Sequence, residues 1–508
     1  MVMVKRLLKR LFTPGDRLSQ RVVHAGFWAF ALRITDRLFG LARTIVLARL
    51  LSPKDFGLFG IALIALSALE SFSQTGFDAA LIQKRGNIKP FLNTAWTIQV
   101  LRGFALALIL AVSAPLVASF FKEPQTAMLL RVLALAQVFK GFTNIGVVFF
   151  RKELEFHKQF IYLFSGTLAN LVVAISAALI LRNAWALVYG SLVGTLVMLV
   201  SSYVLSSERP RFQLIWSQAK ELFSYGGWLL GVSALAFLST QGDRIIVGKL
   251  IGTAALGLYQ VAWQLVRLPT IEISKGIIGA VAFPTLSAVN TDKGRLTKAF
   301  FAMIETNALI ILPLVAILVL LAHPIVLTLL GQQWMPAVPA IKLLAFAALL
   351  FGVNEMDIRL YMAVGSPRIV FLFSIMRVVV SVSLAILLIP LLGLLGAALA
   401  ALASSVVLSI AGALVSSRKL GIRLHKYFQC FFPAVAATAV AVGVAAISLM
   451  RLGHLTEIVQ LLSIGTAFLV TYVLCVYLEL RLGWVQGLPI LIRSIRERYG
   501  GGQHNSIV

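Results

Sequence analysis

The chain contains few charged residues and almost no cysteine. Of its 508 residues, 13% are charged and 59% are hydrophobic, whereas a soluble globular domain is typically about 25% charged. This composition excludes a large soluble domain and indicates a membrane protein with many spans. The two cysteines, Cys430 and Cys475, both lie in apolar segments, so they indicate neither a disulfide framework nor a metal site.

Acidic residues are also scarce. The chain has 19 Asp and Glu against 45 Lys and Arg, a net charge of +26. The basic residues form no soluble basic domain or long charge run, so we expect no nucleic-acid binding. No metal-ligand spacing or nucleophile–base arrangement is visible, and the acidic residues of the predicted outside loops are isolated. We therefore expect neither an enzyme nor a cofactor, and a coupling ion, proton or sodium, stays open.

Both ends of the chain are basic and amphipathic rather than continuously apolar. Lys5, Arg6, Lys9 and Arg10 interrupt the apolar positions of residues 1–21, a pattern typical of a segment on the membrane surface rather than a secretory signal. Residues 481–508 alternate apolar and basic positions and then become polar, which predicts an interfacial helix followed by a disordered tail.

Fourteen stretches are apolar and long enough to cross a membrane as helices, which takes about 20 residues. They are 22–48, 56–78, 91–114, 127–150, 159–181, 185–206, 224–247, 255–279, 298–321, 338–363, 369–390, 394–416, 428–450 and 457–480. If the N-terminus is cytoplasmic, the inside segments hold 27 Lys and Arg and the outside segments six. Since cytoplasmic loops are rich in these residues, both termini are predicted to be cytoplasmic.

A sequence repeat divides the spans into two sets of six. TIVLARLLSPKDFGLF (44–59) matches RIIVGKLIGTAALGLY (244–259) at an offset of 200 residues, with Gly57 matching Gly257. Units with an even number of spans share one orientation, so the repeat predicts two lobes related by an axis along the membrane normal, with the substrate between them. An accidental match of Leu-rich spans is the alternative.

The predicted fold is therefore an all-α polytopic membrane protein with about 14 transmembrane helices, two six-helix lobes related by pseudo-two-fold symmetry and two further C-terminal helices. Its parts are a cytoplasmic basic segment 1–21, an N-lobe 22–206, a cytoplasmic linker 207–223, a C-lobe 224–416, spans thirteen and fourteen with their preceding loop 417–480, and a cytoplasmic segment 481–508.

Twelve basic residues fall inside the predicted spans, where a charge at a helix centre costs about 2.5–3.5 kcal/mol on insertion scales. Six of them lie near span midpoints: Arg33, Arg37, Arg102, Lys140, Arg267 and Arg377. Most have a polar neighbour at helical spacing, which is typical of a wet lining. We predict a cationic cavity between the lobes that binds an anion, phosphate or carboxylate, because guanidinium groups match both.

The first span shows the pattern most clearly. Arg33, Asp36, Arg37 and Arg43 share one helical face at spacings of three and four. Asp36 is expected to hold the arginines in place, although an ion pair that merely joins helices is the alternative. Other orienting or gating candidates are Glu70, Asp243, Arg244 and Asp357. For the adjacent Asp243 and Arg244, a gate pair and simple packing stay equally open.

Several strings resemble the polysaccharide transporters of the multidrug/oligosaccharidyl-lipid/polysaccharide (MOP) flippase superfamily, in the colanic-acid or succinoglycan exporter-like branch. They include LARLLSPKDFGLFGIA, GFDAALIQKRG, RVLALAQVFKGFTNIGVVFFRKELEFHKQF, GDRIIVGKLIGTAALGLYQVAWQL, LLGQQWMPAVPAIKLLAFAAL and AVGSPR. The resemblance runs from about residue 20 to residue 425; the last two spans match the family only in hydropathy.

The resemblance implies a flippase in the bacterial inner membrane that moves a polyprenyl-diphosphate-linked oligosaccharide to the outer leaflet. It also implies partners in exopolysaccharide or lipopolysaccharide synthesis, namely glycosyltransferases and a polysaccharide polymerase, and a groove for the lipid tail in the last two spans. We expect a monomer in contact with membrane lipid. An exporter of another organic anion or a drug is the alternative; a cation pump would require an acidic rather than a basic lining.

Overall fold

The computed structural model describes residues 18–74, 76–84, 86–224, 227–272, 279–452, 456–485 and 487. Most of the two predicted interfacial segments, 1–21 and 481–508, lies outside these residues.

The regular structure of the described residues is helical throughout. In chain order the α-helices are α1 Leu18–Leu50, α2 Pro53–Phe72, α3 Phe77–Gln83, α4 Lys89–Phe121, α5 Gln125–Phe142, α6 Val148–Lys152, α7 Phe156–Leu181, α8 Trp185–Leu205, α9 Trp216–Ser224, α10 Gly227–Leu250, α11 Thr253–Arg267, α12 Gly279–Ala288, α13 Lys293–Leu320, α14 Ala322–Ile325, α15 Val338–Ala363, α16 Pro367–Leu420, α17 Leu424–Gln429, α18 Phe432–Leu452 and α19 Glu457–Arg481. Short 3₁₀ turns cover Ile145–Val147 and Gln332–Ala337, and π turns cover Leu268–Glu272 and Val326–Leu330.

Each of the fourteen predicted apolar stretches contains a helix. By length and apolar composition alone, nine helices in the described part of the chain can cross a membrane, or ten if the bent pair after Gln125 is one span. The all-helical polytopic fold is thus confirmed, whereas the count of fourteen is not. Helix α1 carries too many charges for this criterion, and α11 has only 15 residues.

Two predicted spans are interrupted rather than straight. The predicted span 127–150 is bent by 68° between α5 and the segment Ile145–Lys152, because the Asn144 carboxamide oxygen accepts the Gly146 backbone N–H at 2.8 Å and starts a new turn. The predicted span 255–279 leaves α-helical geometry after Arg267 in the π turn.

Helix α16 contains the predicted eleventh and twelfth spans. Gly393 has φ +59° and ψ −132°, a left-handed backbone that favours glycine. A Cβ atom at Gly396 would lie 2.0 Å from the carbonyl oxygen of Leu388, although eight residues of a continuous helix rise about 12 Å. The chain therefore reverses here into a helical hairpin, as the two separate apolar stretches predict.

The described contacts group the chain into two compact units, Met1–Gly257 and Leu258–Val508. In the first unit, α4 packs against α5, α7 against α8, and α1 against α7. In the second, α15 packs against α13 and α16, and α18 against α13 and α19. The boundary lies after α10 and not within the linker 207–223, so the predicted lobe limits stay a prediction.

The repeated segments meet within the first unit. A Cβ atom at Gly57 would lie 1.8 Å from the carbonyl oxygen of Thr253, and one at Gly257 would lie 1.9 Å from that of Pro53. Both residue pairs are offset by the same 200 positions as the repeat. Gly57 thus lies against Thr253, which is the repeat equivalent of Pro53, and Pro53 lies against Gly257, which is the equivalent of Gly57. A two-fold relation between two segments requires such reciprocal contacts.

The linker after α8 packs against α4. The Thr97 hydroxyl accepts the backbone N–H of Gln213 at 3.0 Å, and the Asn93 side-chain oxygen accepts that of Arg211 at 3.0 Å. Phe212 packs on Trp96 with ring centroids 4.7 Å apart. The extended backbone of the linker is therefore satisfied by polar side chains of α4.

Candidate functional site

A cavity of about 600 Å³ lies within the first unit, between α2, α4 and α5. Its lining residues include three charged side chains and several neutral polar ones. They are Glu70, Arg102 and Lys140, with Gln74, Gln99, Gln137, Thr143, Asn144 and Tyr162. A volume of this size is within the range of small-molecule sites.

Glycine lets two of these helices approach closely. A Cβ atom at Gly103 in α4 would lie 2.8 Å from the Cα atom of Gly141 in α5. Small residues at such crossings bring backbones together in membranes. Because Gln99 and Arg102 stand within one turn of Gly103, and Lys140 adjoins Gly141, this crossing places their side chains beside one cavity.

Lys140 is neutralised by a carboxylate. Its ammonium forms a direct ion pair with Glu70 of α2, and the Gln137 side chain donates to the same Glu70 oxygen, Oε1, at 3.1 Å. The Lys140 and Glu70 side chains are 52% and 39% exposed, respectively, so the pair is reachable from the cavity. Glu70, predicted as an orienting residue, thus pairs with a cation that was predicted to bind an anion.

Arg102 bonds to a hydroxyl at the end of α2. Its Nε and Nη2 atoms donate to Ser73 Oγ at 3.2 and 2.9 Å. One turn earlier, Gln99 donates through Nε2 to the carbonyl oxygens of Lys140, Gly141 and Thr143 at 3.0–3.1 Å. The last carbonyls of a helix lack intrahelical partners, and Gln99 supplies a donor to them; the Lys140 carbonyl also accepts the Thr143 backbone N–H at 3.2 Å. Gln99 therefore fixes the bend that shapes the cavity.

The charged face of α1 contacts α7. Arg33 and Arg37 are exposed, and Asp36 accepts the Thr167 hydroxyl of α7 at 3.3 Å. Arg43 donates to the side-chain oxygen of Asn170 at 2.8 Å. Asp36 and Arg43 therefore join α1 to α7.

The second unit holds two further predicted cations, each with a partner. Arg267, which ends α11, lies 3.5 Å from the Glu272 carboxylate across the π turn. Turns of this kind are frequent at functional sites. The Arg377 guanidinium lies over the ring of Phe351, 4.5 Å from its centroid, a cation–π contact that shelters a charge in apolar surroundings.

Asp357 is buried in a cluster of hydroxyl groups in the second unit. The Ser416 hydroxyl donates to Oδ1 at 2.6 Å, and the Tyr427 hydroxyl lies 3.1–3.2 Å from both carboxylate oxygens. Tyr361 donates to the carbonyl of Gly412 at 3.0 Å. These bonds tie α15 to α16 and α17.

Asp243 and Arg244 are joined through the backbone. The backbone N–H of Arg244 donates to the Asp243 carboxylate at 2.8 Å, and the Arg244 guanidinium donates to Gln241 at 3.1 Å. A gate pair and simple packing both stay open for these two residues.

The structure thus brings together Glu70, Arg102 and Lys140 from the predicted site. Arg33 and Arg37 belong to the same unit but are not among the residues that line the cavity, and Arg267 and Arg377 belong to the other unit. Sequence reasoning missed Ser73, Gln137 and Tyr162. Gln137 carried a usable signal, because it stands one helical turn before Lys140.

Comparison with solved structures gives the class. The fold is similar to that of the lipid II flippase MurJ in an inward closed conformation, with a TM-score of 0.72 and 14% identity over 89% of this chain and 99% of that one. An inward-facing multidrug resistance MATE transporter of the MOP superfamily gives 0.61 and 18% identity over 78% of this chain and 99% of that one. The protein is a multi-pass membrane protein with the fold of these transporters.

Sequence comparison gives the family. Residues 46–339, more than half of the chain, match the family described as polysaccharide biosynthesis protein, and the chain belongs to this family. The succinoglycan biosynthesis transport protein ExoT of Rhizobium meliloti is 24% identical over 66% of this chain and 67% of its own length.

Proposed function

We propose that the protein translocates polyprenyl-diphosphate-linked oligosaccharides from the inner to the outer leaflet of the bacterial cytoplasmic membrane, for exopolysaccharide or lipopolysaccharide synthesis. Its membership of the polysaccharide biosynthesis family, on a transporter fold, carries this proposal. The transport protein ExoT among its relatives and the lipid II flippase MurJ among its structural neighbours support the same substrate class.

The charges fit such a substrate. Arg33 and Arg37 are exposed on α1, and the Arg267 side chain is 45% exposed. We assign to these three arginines the binding of the diphosphate, because a guanidinium can donate two parallel hydrogen bonds to a phosphate. With the inside negative, outward movement of each negative charge is favoured by about 2.3 kcal/mol per 100 mV.

The remaining parts of the proposal concern organisation and partners. Two six-helix lobes, 22–206 and 224–416, would alternate access to a shared cavity while the lipid tail stays in the bilayer beside α18 and α19. Both termini would be cytoplasmic, as the 27-to-6 distribution of Lys and Arg indicates. Glycosyltransferases would supply the substrate and a polymerase would consume it; the protein would act as a monomer.

Reconstitution into liposomes tests the function. The probe is an undecaprenyl-diphosphate-linked oligosaccharide in the inner leaflet, and exposure of its sugar is followed with an enzyme added outside. We expect exposure with wild-type protein, and its loss with Arg37→Ala or Arg267→Ala at equal protein content. Lysine at either position should restore it only in part, because lysine lacks the bidentate geometry. Transport of free organic anions without movement of the lipid would contradict the proposal.

A periplasm-dependent reporter fused after residue 508 tests the orientation. An inactive reporter is expected, and an active one would place the C-terminus outside.

A further inference from the structure

The cavity of the first unit has the chemistry of a carbohydrate site. Of its two cations, Lys140 pairs with the Glu70 carboxylate, and Arg102 donates to the Ser73 hydroxyl. A diphosphate at Lys140 would have to displace the Glu70 carboxylate or lie beside it, and like charges at that distance repel. The other polar lining groups are uncharged amides and hydroxyls.

The Glu70–Lys140 pair keeps unused hydrogen-bonding capacity toward the cavity. Both described bonds to Glu70 end on Oε1, so Oε2 can accept from a ligand. The Lys140 ammonium has three donors and uses one of them on Glu70. Two neighbouring hydroxyl groups of a sugar match this arrangement, because one can donate to the carboxylate while the other accepts from the ammonium. The ligand needs no net charge.

Apolar side chains complete the lining. Ile98, Leu106 and Met198 lie beside the polar groups, and a sugar likewise presents C–H faces between its hydroxyl groups. The volume of about 600 Å³ exceeds what a water molecule or single ion would need.

We propose that this cavity binds the sugar portion of the carrier lipid, with Glu70 and Lys140 as the residues that recognise its hydroxyl groups. The diphosphate is then bound elsewhere. This assignment rests on the proposed function. It gives this cavity the sugar of the substrate, whereas the cation pattern predicted that the cavity binds the anionic part.

A charge-conserving double variant tests the assignment. Glu70→Gln with Lys140→Gln removes one charge of each sign, so the net charge of the cavity does not change. The protein in nanodiscs is titrated with two probes, undecaprenyl diphosphate and the same lipid bearing an oligosaccharide. We expect the Kd for the sugar-bearing lipid to rise about tenfold or more, as for lost hydrogen bonds to charged groups, and the Kd for the sugar-free lipid to stay within about twofold.

Two further single variants complete the test, one in the lining of the cavity and one outside it. Tyr162→Phe removes one hydroxyl from the lining and should weaken binding of the sugar-bearing lipid alone. Arg131→Gln, an exposed position of α5 that does not line the cavity, should change neither Kd. Thermal unfolding and gel filtration establish that each variant is folded before titration.

The outcomes separate the two proposals. If folded variants lose affinity for both lipids by the same factor, or for neither, the sugar assignment is overturned while the proposed function stands. If wild-type protein binds neither lipid, the proposed function fails and the assignment fails with it.

Discussion

Alanine at the two glycines of the repeat should give strongly non-additive effects on stability. A methyl group at Gly57 or Gly257 would lie within 2 Å of a backbone carbonyl oxygen, at Thr253 or Pro53 respectively. A backbone atom cannot rotate away, so the segments must separate, and overpacking of this kind costs about 1–3 kcal/mol. Alanine recovers about 0.5–1 kcal/mol of helix propensity, which leaves up to about 2.5 kcal/mol for each single variant.

A single separation of the two repeated segments makes room for both methyl groups. Because the second alanine adds helix propensity without a further separation, the double variant should cost no more than one single variant, a coupling of about 1–3 kcal/mol. The free energy of unfolding is measured by sodium dodecyl sulfate titration in mixed micelles. Gly443→Ala is the control, since nothing lies within 4 Å of a Cβ atom there. Additive costs for the two glycines would refute the reciprocal contact.

The same titration tests three further residues. Glu70→Gln should cost less than about 1 kcal/mol, because both side chains of its ion pair are more than one-third exposed; a larger loss would show an essential structural pair. Asp357→Ala should cost about 1–3 kcal/mol or more, since its buried hydroxyl donors lose their acceptor; Asp357→Asn should cost less, and equal losses would contradict this reason. The backbone N–H of Arg295, with that of Gly294, lowers the pKa of Asp292 at the start of α13. The stabilisation from the charged Asp292 carboxylate is therefore complete above the ordinary aspartate pKa of about 3.9 and is lost as the pH falls through the lowered value. The difference in unfolding free energy between wild type and Asp292→Ala should therefore shrink in acid. A difference that does not change with pH would exclude this carboxylate as its cause.

The sequence predicts the helices well because apolar length is a local property. Each stretch of about 20 apolar residues contains a helix, and the 200-residue offset correctly singled out Gly57 and Gly257 as a special pair. The bend after α5 was missed because its cause is a capping side chain, Asn144, inside an otherwise apolar stretch. Such caps compete with helix continuation only when neighbouring groups complete them.

The partners of the charged residues could not be predicted from the sequence. Lys140 and Glu70 stand 70 positions apart, and their pairing depends on how α2 and α5 are rotated about their axes. The expected contact of Asp36 with arginines of its own helix stays a prediction, but its bond to the Thr167 hydroxyl of α7 is one that helical spacing could not show. Helical spacing identifies a shared face, whereas the neighbouring helix decides which residue of that face is neutralised.

The ion pair in the cavity has an electrical consequence. If Glu70 and Lys140 move together through the membrane field during transport, their charges cancel and the pair does no electrical work. A single unpaired lysine would instead contribute about 2.3 kcal/mol per 100 mV for a complete crossing. The voltage dependence of transport would then report the charge of the cargo and of the arginines alone. Imposed potassium diffusion potentials should therefore change the transport rate of the double variant by the same factor as that of the wild type.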